Sequence, residues 1–176
     1  MLTLVYGGSA SGKSQIAEDI ICKISEGKNK YYIATMKVGE DEENIERVEK
    51  HRNQRKDKGF VTIECPHDIE NAIKEMTSDK NALLECVSNL VANEMFFGGE
   101  IKEMEDTVNK VKDGIKTLAE NSDNLVIVTN NVFESGSDYD PTTLSYMEAL
   151  GRVNRELFNM ADEVYEVVVG ISMRIK

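Results

Sequence analysis

Gly7-Gly8-Ser9-Ala10-Ser11-Gly12-Lys13-Ser14 fits the spacing G-x-x-x-x-G-K-[ST], directly after the apolar run Leu2–Tyr6 and at the head of an amphipathic stretch. The glycines let backbone N–H groups turn inward around phosphate oxygens without Cβ clashes, and the following helix end adds partial positive charge. In such a loop Lys13 reaches the β- and γ-phosphates of a nucleoside triphosphate and the Ser14 hydroxyl binds Mg²⁺. A glycine turn capping a helix is the plainer explanation, but the strand–loop–helix setting favours phosphate binding. The guanine-reading N-K-x-D and the switch motif D-x-x-G occur nowhere in the chain, which argues against a regulatory GTPase. A kinase, a nucleotidyltransferase or an ATPase remains.

A second group of chemical interest is Arg47-Val48-Glu49-Lys50-His51-Arg52-Asn53-Gln54-Arg55-Lys56-Asp57-Lys58, with six cationic and two acidic side chains. Ile45, Val48 and Arg52 share one helical face with His51 at its edge. The run reads either as a solvated basic face or as a wall that collects anions, with His51 as nucleophile or acid/base. An imidazole with a pKa of about 6.5 is mostly neutral at working pH and able to attack phosphorus. His67, in Pro66-His67-Asp68, suits a turn. Glu85 closes the run Ala82-Leu83-Leu84, where a Walker-B-type carboxylate would sit; a solvent-facing charge at a strand end is equally consistent.

The elements that must position these residues follow from periodicity. Nearly continuous apolar runs at Leu2–Tyr6, Tyr31–Ala34, Val61–Glu64, Ala82–Cys86, Leu125–Thr129 and Val164–Val169 read as strands covered on both faces. Helical stretches lie between them at Ser14–Ser25, Glu42–Lys56, Ile69–Met76, Val87–Phe96, Lys102–Glu120 and Thr142–Met160, the last with Asp140 as N-cap and Pro141 at the first helical position. Gly170–Lys176 alternates apolar and polar residues as a half-exposed final strand would. The fold class is α/β: a three-layer P-loop NTPase-like fold with a mostly parallel central sheet. Residues 1–176 read as one P-loop nucleotide-binding and transferase domain, since 176 residues fall within the roughly 100–200 of one domain and no linker interrupts them.

A net charge of −11 argues against nucleic acid or an anionic membrane as a partner. Cys22, Cys65 and Cys86 lack any metal or redox spacing and read as buried hydrophobes in a reducing compartment. No apolar stretch approaches the roughly 20 residues of a membrane span, and no secretory leader is evident, so a cytoplasmic protein is expected.

Together these segments resemble the bifunctional adenosylcobinamide kinase/adenosylcobinamide-phosphate guanylyltransferase family of cobalamin biosynthesis. The resemblance runs through Leu4–Ser14, Tyr32-Ile33-Ala34-Thr35, Asp41-Glu42-Glu43 and Arg47–Arg52. It continues through Leu83-Leu84-Glu85-Cys86, Val126–Asn130, Gly151-Arg152-Val153-Asn154 and Ala161–Tyr165 to Arg174-Ile175-Lys176. It implies phosphorylation of adenosylcobinamide by ATP or GTP, then transfer of GMP from GTP through a guanylylated histidine, which matches His51. It also implies nucleotide contacts at Gly7, Gly8, Ser9, Ala10, Ser11, Gly12, Lys13, Ser14, Ala34, Thr35, Met36, Arg52, Asn53, Gln54, Arg55, Glu64 and Glu85. Catalytic roles fall to His51 and Lys13, and Mg²⁺ to Ser14 and Glu85. GTP and ATP are the expected co-substrates, a corrinoid the small-molecule partner, and a homo-oligomer the expected assembly.

Two departures accompany the resemblance. Lys50 stands where the family often has a first histidine. After Val-Thr-Asn the family usually reads Glu-Val-Gly, whereas this chain has Asn131-Val132-Phe133, which bears on corrinoid contacts or the kinase step. The competing readings are a P-loop kinase or NTPase for another small substrate, and a non-catalytic nucleotide-gated binding module.

Overall fold

The computed structural model describes residues 1–37, 58–132 and 139–176. Among the described residues seven strands form one sheet: β1 (Leu2–Gly7), β2 (Lys30–Ala34), β3 (Phe60–Glu64), β4 (Asn81–Glu85), β5 (Asn124–Asn130), β6 (Glu163–Val168) and β7 (Ile171–Arg174). Their spatial order is β3-β2-β4-β5-β1-β6-β7, with only the β6–β7 pair antiparallel. Helices α1 (Lys13–Ile24), α2 (Val87–Met95), α3 (Met104–Glu120) and α4 (Pro141–Met160) flank it.

Alternation along the strands sorts the side chains into two cores. Val5, Tyr32, Leu83, Val126 and Val128 face one side and pack with Ala17 and Ile21 of α1. Leu4, Ile33, Leu84 and Ile127 face the other, against Leu90, Ile115, Leu150 and Val153 of α2, α3 and α4. Burial on both faces explains the unbroken Val/Ile/Leu runs. It also makes three layers, as the sequence indicates.

Strand order decides where a ligand can sit. From β1 the chain crosses one face through α1 to β2. From β5 it crosses the other face through α4 to β6. The paths therefore diverge between β1 and β5, where Gly7 lies opposite Asn130. A crevice outside the carboxyl ends is the usual binding place in such sheets.

Three local expectations change. Ile69–Glu75 is a 3₁₀ helix, not an α-helix, entered from Asp68 at φ 46° and left through extended Met76; seven residues between two such breaks leave little room for α-type bonds. The last strand, β7, is exposed along its whole length, because it pairs only with β6 at the sheet edge and none of the described helices covers it. Val169 (φ 49°) and Gly170 (φ 80°) make the tight turn before it. Cys65 and Cys86 are buried as expected, but Cys22 is only partly covered. No helix among the described residues is long and apolar enough to cross a membrane.

Ile115 is fully buried on α3. Ile115→Ala should cost about 2–5 kcal/mol in urea unfolding, whereas Lys116→Ala, on the solvent side of the same helix, should shift stability by less than about 0.5 kcal/mol.

Candidate active site

Loop Gly8–Gly12 carries the chain from β1 into α1. Ala10 (φ 55°) and Gly12 (φ 91°) take left-handed conformations that bend it back over itself. A Cβ on Gly7 would stand 2.4 Å from Val167 O, so only glycine lets β1 run this close to β6. The first turn of α1 holds no acidic residue, which leaves its partial positive charge free for an anion. The Ser11 hydroxyl oxygen is buried without a partner among the described residues. Above the loop opens a cavity of about 490 Å³ lined by Ala10–Gln15, Glu18 and Lys58.

Lys13 is buried to 8 % exposure, and its ammonium donates to Gly8 O at 2.9 Å. Burial pushes its pKa below the usual lysine value, with Cys86 and Glu85 opposing. Bringing a polyanion to this ammonium restores the charge stabilisation that burial removes. Ser14 Oγ donates to Glu85 Oε1 at 2.5 Å, although β5 lies between β1 and β4. The other carboxylate oxygen, Oε2, is buried without a partner among the described residues. Thus the α1 hydroxyl and the β4 carboxylate meet at one point, and Glu85 is not a solvent-facing charge.

The remaining strand ends are tied together around this pair. Thr35 is fully buried, and its hydroxyl accepts from Cys86 N–H at 2.7 Å and donates to Cys86 O at 2.8 Å. Asn93 of α2 donates to Thr35 O at 2.7 Å and to Pro66 O at 3.0 Å. The Thr35 side chain is therefore engaged in joining β2 to β4, while Ala34 and Met36 beside it are partly exposed. Glu64 is exposed at the end of β3, in register with Ala34, which is in register with Glu85.

His51, Arg52, Asn53, Gln54 and Arg55 lie outside the described residues, as does Phe133. The described end of the basic run is Lys58, which pairs with Glu18 of α1 at 2.5 Å, on the wall of the cavity over the loop. Asn131 donates its backbone N–H to Gly7 O at 2.9 Å. His67 sits in the turn before the 3₁₀ helix, its ring edge-on to Phe97 at 4.4 Å between centroids; burial pushes its pKa down. One supporting residue had no local signal: Gly170, in the β6–β7 turn, donates its N–H to Ser11 O at 2.8 Å and packs on Gly12.

Residues 3–175 match the family described as cobinamide kinase / cobinamide phosphate guanyltransferase. The chain belongs to this family. Two relatives, each called bifunctional adenosylcobalamin biosynthesis protein CobU, align over the full length of both chains. That of Escherichia coli (strain K12) is 31 % identical and that of Salmonella typhimurium (strain LT2) 32 %. The chain is thus a cobinamide kinase/guanyltransferase by family, and the enzyme classes left open by its phosphate loop narrow to these two activities. Among solved structures, the flagellar accessory protein FlaH of Methanocaldococcus jannaschii matches with TM-score 0.52 and 13 % identity, over 99 % of this chain and 77 % of that one. A solved ATPase domain matches with TM-score 0.53 and 14 % identity, over 94 % of this chain and 68 % of that one. Identities this low speak for the fold alone, which is that of P-loop NTPases.

Two variants separate binding from support. Lys13→Ala should weaken GTP at least about tenfold, because a buried cation facing the phosphate cradle is lost; titration with a fluorescent GTP analogue measures it. Thr35→Val should lower stability by about 1–3 kcal/mol in urea unfolding, since Cys86 N–H is left buried and unpaired.

Proposed function

We propose that this protein phosphorylates the aminopropanol hydroxyl of adenosylcobinamide with ATP or GTP and then transfers GMP from GTP onto that phosphate. The products are adenosyl-GDP-cobinamide and pyrophosphate. The observation that carries this reading is the family match over residues 3–175, on a chain whose loop Gly7–Ser14 closes into a phosphate cradle. In this reading residues 1–176 act as one cytoplasmic domain serving both reactions.

Mg²⁺ fits the residues present. Glu85 Oε2 is a buried carboxylate oxygen with no partner among the described residues, and Ser14 Oγ lies 2.5 Å from its companion Oε1. Bound by Ser14 and Glu85, the ion would neutralise triphosphate charge. Lys13 would exchange Gly8 O for phosphate oxygens. The backbone of Gly7–Ser14 would wrap those oxygens, with Ala34, Met36, Arg52, Asn53, Gln54, Arg55 and Glu64 as further nucleotide contacts and the buried Thr35 holding the strand ends beneath them.

For the second reaction, His51 is the nucleophile of this reading. An imidazole nitrogen attacks the α-phosphorus of GTP, and the bond to the β-phosphate bridging oxygen breaks and releases pyrophosphate. A phosphate oxygen of the acceptor then attacks the same phosphorus, and the P–N electron pair returns to His51. Two displacements keep the two bulky anions from having to meet directly. The exposed apolar side chains of β7, Ile171 and Met173, supply a surface for the homo-oligomer that belongs to the same reading.

GTP labelled on the α-phosphate tests it. The wild-type protein should acquire a covalent label that is acid-labile and alkali-stable, as phosphorus on nitrogen is. His51→Ala should lose the label while still phosphorylating adenosylcobinamide. Label retained in His51→Ala would place the nucleophile elsewhere. Ser14→Ala should raise the Mg²⁺ needed for half-maximal activity about tenfold; an unchanged requirement would remove Ser14 from the ion's site.

A further inference from the structure

On the α4 side of the sheet, beside the carboxyl ends of β1 and β5, lies a second cavity of about 340 Å³. Leu4, Tyr6 and Phe158 contribute apolar walls, and Asn130, Asn154 and Arg155 are among the polar residues that line it. Asn131, also on its wall, is bonded to Gly7 O, so the cavity borders the phosphate loop across β1. Arg155 also lines a wider open cavity along α4, of about 670 Å³, with Met147, Gly151 and Arg152. The two spaces meet at this side chain.

Hydrogen bonding defines what the smaller cavity can take. Asn130 Nδ2 donates to Ser88 Oγ at 2.6 Å, and Oδ1 of the same amide has no partner among the described residues. Asn154 accepts from the Thr129 hydroxyl at 2.7 Å and gives one amide hydrogen to Asn130 O at 3.4 Å, which leaves its second hydrogen unused. Arg155 is exposed and makes no hydrogen bond or ion pair among the described residues, whereas Arg152 is held by Glu105 and Glu148. An open acceptor therefore stands beside open donors over an apolar floor. A carboxamide offers the complementary pair, a C=O to accept and an N–H to donate. A phosphate or carboxylate can only accept, and would turn an oxygen toward Asn130 Oδ1.

We propose that this cavity is the subsite for a carboxamide-bearing arm of the acceptor substrate, with the wider cavity along α4 taking the adjoining body. The inference rests on the corrinoid reading above, a corrinoid being a large macrocycle whose rim carries primary amides. Placing the acceptor here puts nucleotide and acceptor on opposite sides of β1, with both reaching the crevice between Gly7 and Asn130.

Equilibrium dialysis of the full-length protein against cobinamide, read by the corrinoid's visible absorption, tests the assignment. Arg155→Ala and Phe158→Asp both alter exposed side chains and should fold. Each should weaken cobinamide about tenfold, with Arg155→Lys recovering part of the loss. In turnover the change should fall on the KM for cobinamide, while kcat and the KM for GTP stay within about twofold. Cobinamide whose rim amides have been hydrolysed to carboxylates should bind the wild type at least about tenfold more weakly. Equal or tighter binding of the carboxylate form would mark an anion site and overturn the proposal. So would cobinamide binding unchanged in both Arg155→Ala and Phe158→Asp. A wild-type protein that binds no cobinamide and gains no label from GTP would instead bring down the functional reading itself.

Discussion

At the carboxyl end of β1, backbone packs directly on backbone. Gly7 passes so close to Val167 of β6 that any side chain would collide with its carbonyl, and on the other side its own carbonyl accepts from Asn131 N–H beyond β5. Beyond it, Ser11 O is held by Gly170 N–H, with the Gly170 backbone against Gly12. The phosphate loop is thus clamped by the strands on both flanks of β1 before any ligand arrives. Donors fixed in this way need little reorganisation when they meet phosphate charge, which is the main source of catalytic power in phosphoryl and nucleotidyl transfer.

That clamp fixes the start of α1, whose first turn brings Ser14 within 2.5 Å of Glu85. The carboxylate is itself held by its strand. β4 lies next to β2, and the Thr35 hydroxyl makes both of its bonds to the Cys86 backbone immediately after Glu85. Asn93 then binds Thr35 O and Pro66 O together. Shifting any of these strand ends would move the carboxylate relative to the hydroxyl. Positioning of the Ser14–Glu85 pair is therefore a property of the whole carboxyl edge, which draws on residues from Ser14 to Asn93.

Local patterns made much of this readable from the chain alone. The eight residues Gly7–Ser14 encode a loop whose required conformations are short-range, so their spacing identified it. Double-sided burial of β1, β4 and β5 leaves unbroken aliphatic runs, so the strands and the place of Glu85 at a strand end were visible as well. Gly170 escaped notice because its role depends on β6 lying beside β1, a neighbour relation that no local spacing encodes. The 3₁₀ geometry of Ile69–Glu75 escaped because an apolar residue every three or four positions suits either helix type. Thr35 was marked by resemblance as a nucleotide contact, and its burial shows why a hydroxyl is needed there: it joins two strand ends. His51 and Arg52–Arg55 rest on sequence similarity, and Lys58, bound to Glu18 on the wall of the phosphate-loop cavity, is the point at which the structure meets that basic run.

Charge distribution links the two substrates. A chain of net charge −11 repels polyanions over most of its surface. A triphosphate is therefore drawn to places where positive charge is concentrated, such as the buried Lys13 and the α1 N-terminus. The cavity against α4 is of another character, with amide groups, apolar walls and Arg155, which has no partner among the described residues. Its amide side chains complement the rim amides of the acceptor proposed to bind there. Asn130 stands at the boundary of the two regions, opposite Gly7 in the sheet and bonded through its amide to Ser88 at the start of α2. In the proposed arrangement the two substrates approach one crevice from opposite sides of β1, without competing for the same contacts.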